Sequence, residues 1–555
     1  MSSPDSALAR QLSNALEGDV LFDAFSRGRY ATDASIYQIM PLGVVVPKTA
    51  DDVSAALEIA NDQGLPLLPR GGATSQSGQT VGEALVIDFS KYMRKLIALD
   101  PEGRSCTVEP GIVLDELNAR LKQHGLWFPV DVSTASRATI GGMAGNNSCG
   151  TRSIRYGIMR DNVTAIDATL ADGSQARFGA VPESLDRINA PSPAAELMRD
   201  LLQLGKRRKK HIARAFPDVS RRVGGYLLDG LVPNGEPVNL AQILIGSEGT
   251  LALSRAIELK LSLLPRNRAL GVCHFPTFRK AMEAARHIVE LGPVAVELVD
   301  KNLIQLARDI PMFQATVNRF VKGEPEALLF TEFAEDNQVE NLRRLKQLDE
   351  LMADLGHKNA VVEAIGAKFQ RDIWEVRKSG LNIMMSMKGQ GKPVSFIEDC
   401  AVPLEHLPDY TERLTEVFEK HGTRGTWYAH ASVGCLHVRP VLNLKLEQDA
   451  ATMRAIAEEA FEMVRAYKGA HSGEHGDGLV RSEFHEKMYG RKTVEIFEQV
   501  KDRFDPQARL NPGKIVRPTK MDDRTLFRYP PGYGVSEFDT GLDWSAWPGA
   551  GGGFQ

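Results

Sequence analysis

The chain has 555 residues, 43% hydrophobic and 25% charged, and its 67 Lys and Arg against 71 Asp and Glu leave a net charge of −4. That length accommodates about three to five structural units with substantial cores, and the near balance of charge excludes a global electrostatic case for nucleic acid. The five cysteines (Cys106, Cys149, Cys273, Cys400, Cys435) are scattered without a C-x-x-C pair, which argues against a disulfide framework, a zinc ribbon or an iron–sulfur cluster held by this chain.

The N-terminal stretch MSSPDSALARQLSNALEGDV lacks the basic and apolar regions of a signal peptide. No apolar run reaches the roughly 18 residues of a membrane span. A cytoplasmic enzyme is expected. An amphipathic helix is predicted from Ser6 to Glu17, then a strand at Gly43–Pro47 and a helix over Val53–Gln63 capped by Thr49 or Asp51. Strands follow at Leu65–Pro69, Ala84–Asp88, Cys106–Glu109, Ala165–Leu170 and Ile243–Ile245. This rhythm marks an α+β or α/β domain. The basic run Lys206–Lys210 reads as a solvated loop after a helix. Longer helices are predicted at Met282–Leu291, Val339–Leu355 and Leu407–His421, with strands at Ala327–Phe330 and Ala360–Val362. Beyond Pro518 the chain turns rich in Gly, Pro and aromatics and reads as a tail.

Three glycine-rich segments interrupt the first half. Arg70-Gly71-Gly72-Ala73-Thr74-Ser75-Gln76-Ser77-Gly78 follows a strand, and consecutive glycines let backbone N–H groups approach an anion. It is neither a Rossmann fingerprint nor a Walker A loop. The segment Thr139–Gly150, rich in Gly and Asn, suits a backbone wrapped around a flat polar ligand better than a packed helix or strand. Gly246-Ser247-Glu248-Gly249-Thr250 is the third. Together they point to one large anionic cofactor.

The segments RGGATSQSG, TIGGMAGNNSCGTRSIRYG and LIGSEGTLALSRAIELKL resemble, in order and spacing, the flavin-binding segments of the vanillyl-alcohol oxidase (p-cresol methylhydroxylase, PCMH-type) FAD family over about Ile36 to Arg266. The resemblance implies an α+β architecture: an N-terminal helical segment (1–35), a two-subdomain PCMH-type FAD-binding domain (36–267), an α+β substrate or cap domain with an antiparallel sheet (268–425), a mostly helical C-terminal segment (426–520) and an extended tail (521–555). It implies FAD held by Arg70, Gly71, Gly72, Ala73, Thr74, Ser75, Gly78, Asp131, Thr139, Gly141, Gly142, Asn146, Ser148, Gly150, Glu248, Gly249, Ile257 and Asn511. Some relatives attach the flavin through a His in the first loop; Ala73 and Thr74 stand there, so non-covalent FAD is expected.

His430 and His437 lie seven apart, which on one uninterrupted strand puts them on opposite faces; Gly434 allows a turn that lets them converge. Glu474 and His475 follow in SGEHGDG. Two imidazoles and a carboxylate suit zinc or another borderline divalent ion, although from spacing alone ordinary histidines in Gly-rich turns explain the pattern equally. HASVGCLH and GEHGDG resemble the C-terminal signatures of FAD-linked D-2-hydroxy acid dehydrogenases, the group of D-lactate and D-2-hydroxyglutarate dehydrogenases. By that resemblance His430, His437 and Glu474 match the metal ligands and His475 the catalytic base. Arg377, in W-x-x-R, matches the residue that holds the substrate carboxylate; without the family it reads as a helix-surface partner of Glu375 or Asp372. Some relatives carry a Lys near Phe396–Pro403; here Lys388 or Lys392 is expected to meet a distal carboxylate instead.

The expected reaction is oxidation of a D-2-hydroxy acid, D-2-hydroxyglutarate or D-lactate, by hydride transfer to FAD. A metal-dependent hydrolase and a non-catalytic flavin electron-transfer subunit are the alternatives. In long bacterial members a cysteine-rich iron–sulfur domain begins about where this chain ends. The expected electron acceptor is therefore an iron–sulfur domain or subunit, a quinone, a cytochrome or an electron-transfer flavoprotein. Peripheral attachment to a membrane through that acceptor and a homo-oligomer are also compatible.

Overall fold

The computed structural model describes residues 4–181, 192–385, 387, 389–534 and 541. Three sheets carry the architecture. In the first, Gly43–Val46, Leu85–Asp88 and Leu67–Arg70 run parallel, with Asp19–Leu21 antiparallel on the outer edge. The helix Ala50–Asp62 makes the crossover between the first and third of these strands. Thr49 caps it, its Oγ1 accepting from Asp52 N at 3.2 Å. The parallel strands are buried on both faces, as their unbroken apolar runs require.

The second sheet is antiparallel, in the order Leu96–Asp100, Ser105–Val108, Ala252–Lys260, Val163–Leu170, Gln175–Phe178. The third is also antiparallel: Val361–Ala364, Ala269–Phe275, Ala327–Phe333, Ala295–Asp300, Gly425–His430, Cys435–Leu442, Lys392–Pro393, with Cys400–Ala401 also pairing onto Cys435–Leu442. Helices Phe278–Val289, Gln338–Asp354, Leu407–Lys420 and Glu447–Ala466 bury their apolar faces with this sheet in one continuous core.

Several segments depart from expectation. Ile243–Ile245 is no strand. Leu240–Ile243 is a 3₁₀ turn started by Asn239, whose Oδ1 accepts from Ala241 N; an apolar run buried on every side has no period that separates strand from turn. The basic run 206–210 lies inside the helix Pro193–Ala215, whose buried face (Leu197, Leu201, Leu202, Gly205, Ile212) continues past it. Residues Ile140–Asn146 form a helix capped by Thr139 despite their glycines. Pro110 packs so closely that a Cβ on Gly141 would lie 2.6 Å from its Cβ. The boundary expected at 425/426 falls at the head of a sheet strand: Gly425–His430 pairs with Ala295–Asp300 and with Cys435–Leu442. Sheet pairing therefore joins residues 269–442. In the tail, Met521 and Phe527 are buried and Phe527 bridges to Tyr37, so this part packs against the N-terminal region. Residues 535–540 and 542–555 lie outside the described residues.

Candidate functional site

The glycine segments converge because their side-chain-free positions abut. A Cβ on Gly71 would lie 2.1 Å from Thr139 Oγ1, and one on Gly72 would lie 2.3 Å from the Arg137 carbonyl. The glycines thus permit loop-to-loop contact as well as approach to a ligand. Between the loops is a cleft of about 990 Å³. Of the residues assigned to the cofactor, it is lined by Arg70, Gly71, Gly72, Ala73, Thr74, Ser75, Thr139, Gly141, Gly142, Asn146, Ser148, Glu248 and Gly249.

The other assignments fall elsewhere. The Arg70 guanidinium turns away and donates to the carbonyls of Tyr30, Thr32 and Thr80, which ties the loop to its neighbours. Gly78 faces Tyr37 and Leu479. Ile257 is an interior residue of the second sheet, fully buried between Val108 and Ile166. Asn511 donates to the Gln79 and Glu248 carbonyls and so braces the cleft from behind. Gly150 packs on Asp131, and Asp131 is ion-paired to Arg152. Gln79, Thr80, Val132 and Thr134 also line the cleft and were not singled out from the sequence.

The cleft opens on a larger chamber of about 1730 Å³, and Thr74, Ser75, Val132, Thr134, Asn146 and Ser148 form walls of both. The chamber holds Arg377, His430, His437, Glu474 and His475. His430 ends one strand, a 3₁₀ turn follows, and Gly434 at φ +67° begins the return. A Cβ there would meet the Val402 carbonyl at 2.0 Å. Tyr428 pairs with His437 and His430 with Cys435, so both imidazoles share a face, their centroids 4.9 Å apart.

Glu474 Oε2 lies 3.3 Å from His430 Nε2 and Oε1 lies 3.1 Å from His437 Nε2. Behind His430, Nδ1 meets Glu297 at 2.7 Å. Behind Glu474, fully buried Arg221 donates to it, and the Glu474 and His475 N–H groups donate to Asp399. Burial disfavours the His437 imidazolium and takes its pKa to about 3, so the ring is neutral. Burial opposes charge on Glu474 too, but His430 and His437 outweigh it and hold the carboxyl well below its usual range. Two imidazole nitrogens and a carboxylate, backed by a carboxylate on one ring, fit a borderline divalent cation.

His475 stands beside this cluster, with Nδ1 2.9 Å from Glu398 and Nε2 3.1 Å from Glu474. Burial disfavours its charged form, yet the bonds to Glu398 and Glu474 and the charge of Asp399 lift its pKa to about 10. Burial likewise opposes ionised Glu398, but buried Arg481, 3.2 Å away, holds it well below the ordinary range. Arg377 pairs with neither Glu375 nor Asp372. Its Nη2 donates to Glu297 at 2.6 Å and its guanidinium lies over the Tyr428 ring. Glu297 thus joins Arg377 to His430 from 80 and 133 positions away, a link that no local motif announces.

The distal cations differ from those expected. The Lys392 ammonium donates to the Met387 carbonyl and does not line the chamber; Lys388 lies outside the described residues. Arg268, Arg371 and Lys378 line it instead, and among the described residues none of them is ion-paired. Arg371, Trp374 and Lys378 recur on one face of the helix Ala367–Lys378 at i, i+3 and i+7, a period the sequence displays.

A glycine-lined cleft joined to a histidine–carboxylate chamber defines the class, and the chain matches the FAD linked oxidases in both parts. Residues 41–179 match the FAD binding domain and 264–515 the FAD linked oxidases, C-terminal domain. The chain is 32% identical over 525 residues to a D-2-hydroxyglutarate dehydrogenase of Haemophilus influenzae, covering 91% of this chain and 51% of that protein. It is 28% identical to a mitochondrial D-lactate dehydrogenase (cytochrome) of Arabidopsis thaliana, covering 86% of this chain and 74% of that one. The chain spans about half the length of the D-2-hydroxyglutarate dehydrogenases it matches. Its fold is similar to p-cresol methylhydroxylase with substrate bound, with a TM-score of 0.67, 14% identity, and coverage of 93% of this chain and 98% of that one. No helix among the described residues is long and apolar enough to cross a membrane.

Proposed function

We propose that this chain is the flavin half of a dehydrogenase that oxidises a D-2-hydroxy acid to the 2-oxo acid. The observation that carries the reading is the shared wall: the glycine-lined cleft opens directly on the chamber holding Arg377, His430, His437, Glu474 and His475. Non-covalent FAD in the cleft would supply a two-electron acceptor, and a divalent cation such as zinc, held by His430, His437 and Glu474, a Lewis acid beside the hydroxyl.

The residues of the chain orient the substrate and move its proton. Arg377, fixed by Glu297 and Tyr428, presents its guanidinium to the C1 carboxylate. With Glu474, one of the carboxylates that keep His475 protonated, neutralised by a bound cation, His475 Nε2 is free to accept the hydroxyl proton, while Glu398 on Nδ1 sets the tautomer and balances the imidazolium. Arg268, Arg371 and Lys378 line the same chamber without an ion-pair partner among the described residues, and their positive charge favours a second carboxylate, as in 2-hydroxyglutarate, over lactate. Electrons then pass to an acceptor outside the described residues, an iron–sulfur protein, quinone, cytochrome or electron-transfer flavoprotein. All five cysteines are buried.

Anaerobic titration with D-2-hydroxyglutarate, D-lactate and their L-enantiomers, followed by flavin bleaching, tests the reading. Bleaching by the D-acids, strongest with 2-hydroxyglutarate, is expected. Bleaching by L-enantiomers alone would overturn it; a colourless protein points to a metallohydrolase, and a yellow unreactive one to an electron-transfer subunit.

A further inference from the structure

A second group of donors lies behind the GEHGDG loop and shares no residue with the first. His471, Asp477 and His485 are completely enclosed, none more than 1% exposed. His485 Nε2 is 3.0 Å from Asp477 Oδ2 and His471 Nε2 is 3.6 Å from Asp477 Oδ1. One ligand atom from each falls within 4.8 Å of the others. We propose that these three side chains form a second, structural divalent-cation site.

Hydrogen bonding within the protein does not account for this cluster. Both ring nitrogens of His471 and Oδ1 of Asp477 lack a hydrogen-bond partner although fully buried. Each such orphan is destabilising while it stays unpaired. An imidazolium on His485 paired with Asp477 would satisfy Oδ2 alone and leave His471 and Oδ1 as they stand. A cation among Nε2, Nε2 and the carboxylate engages His471 Nε2 and Asp477 Oδ1 together.

The surroundings are those of a ligand set. His485 Nδ1 lies 3.0 Å from the Ile515 carbonyl, so an N–H there leaves the Nε2 lone pair facing the cluster. Gly225 N donates to Asp477 Oδ2 at 2.6 Å and fixes the carboxylate. The rings of Phe461, Tyr489 and Phe497 pack around the two imidazoles and exclude water. Backbone reaches the edge: a Cβ on Gly224 would lie 2.9 Å from His471 Cε1. Two imidazoles and one carboxylate suit zinc among the common divalent ions.

Such a cation would clamp three segments: the stretch after the Ala401–Ala470 bridge, the loop carrying Glu474 and His475, and the helix His485–Tyr489. It would hold the loop that carries the proposed base from its rear.

The test is metal content by inductively coupled plasma mass spectrometry on full-length protein loaded with zinc chloride and desalted. The H430A/H437A double variant is expected to retain about one equivalent of zinc, and H471A/H485A to lose about one relative to the parent. X-ray absorption of the H430A/H437A protein should show imidazole and oxygen ligation, which reads the site without altering it. Absence of zinc from H430A/H437A, or unchanged stoichiometry in H471A/H485A, overturns the proposal. If the proposed function fails and the first site holds no metal, the parent still carries one equivalent, kept in H430A/H437A and lost in H471A/H485A.

Discussion

Replacing Glu297 with glutamine probes the bridge between Arg377 and His430. Glu297 is fully buried, accepts from Arg377 Nη2 at 2.6 Å and meets His430 Nδ1 at 2.7 Å. A carboxylate accepts on both sides, whereas a carboxamide of the same shape offers one acceptor oxygen and one NH₂. With the oxygen toward Arg377, the NH₂ faces His430 Nδ1 and moves the ring proton to Nε2, the atom facing Glu474. With the oxygen toward His430, donors face donors at the guanidinium. One charge-assisted hydrogen bond is lost either way, worth about 1.5–3 kcal/mol, or about 10–100-fold at 1.4 kcal/mol per decade. Flavin reduction at subsaturating D-2-hydroxy acid should fall by that factor in E297Q, with flavin content and circular dichroism unchanged. Zinc affinity, read by chelator competition, tells which contact broke. Reduction rate and zinc affinity both within about twofold of the parent would refute the bridge.

The remaining expectations concern the base, the distal cations, the hairpin and a buried lysine. H475A should keep its yellow FAD and lose reduction by substrate in stopped-flow absorbance; unimpaired reduction removes His475 from the role of base. R371M should raise the half-saturation for D-2-hydroxyglutarate more than for D-lactate, whereas K392A, outside the chamber, should change neither; equal shifts for both acids in R371M count against a distal carboxylate site. G434A places a Cβ 2.0 Å from the Val402 carbonyl at φ +67°, so it should lower the denaturation midpoint and cost zinc; a parent-like midpoint contradicts the hairpin geometry. Lys514 donates to the Val81 carbonyl, and burial lowers its pKa from 10.5 to about 8. The folded state sheds this proton before the unfolded state does, so the lysine makes folding more favourable as pH rises from about 8 to 10.5, by up to about 3 kcal/mol. Urea denaturation of K514M should lack that rise; curves parallel to the parent across the window rule out this linkage.

The local features of the sequence carried over well where the physics is local. Thr49 caps its helix because a hydroxyl can reach the N–H three residues on, whatever surrounds it. The His430–Gly434–His437 spacing proved a hairpin turn because only a positive-φ residue can reverse the chain there. Where context overrides propensity, the reading failed. Thr139–Gly150 is glycine-rich yet holds a helix, since the packing of Gly141 against Pro110 admits no side chain. Lys206–Lys210 sits in a helix whose buried face determines its length.

The sequence by itself determined which chemistry the chain can host: glycine loops for an anionic cofactor, and imidazoles and carboxylates in motifs that resemble a flavoenzyme group. Those depend on residue types at short range. Only the tertiary structure decided which of them meet. Glu297 touches Arg377 and His430 across 80 and 133 residues, Arg221 reaches Glu474 across 253, and Lys392 turns away to a carbonyl while Arg371 and Lys378 face the chamber. Partners of a buried charge are chosen by sheet register and desolvation, and neither is written in the spacing of a motif.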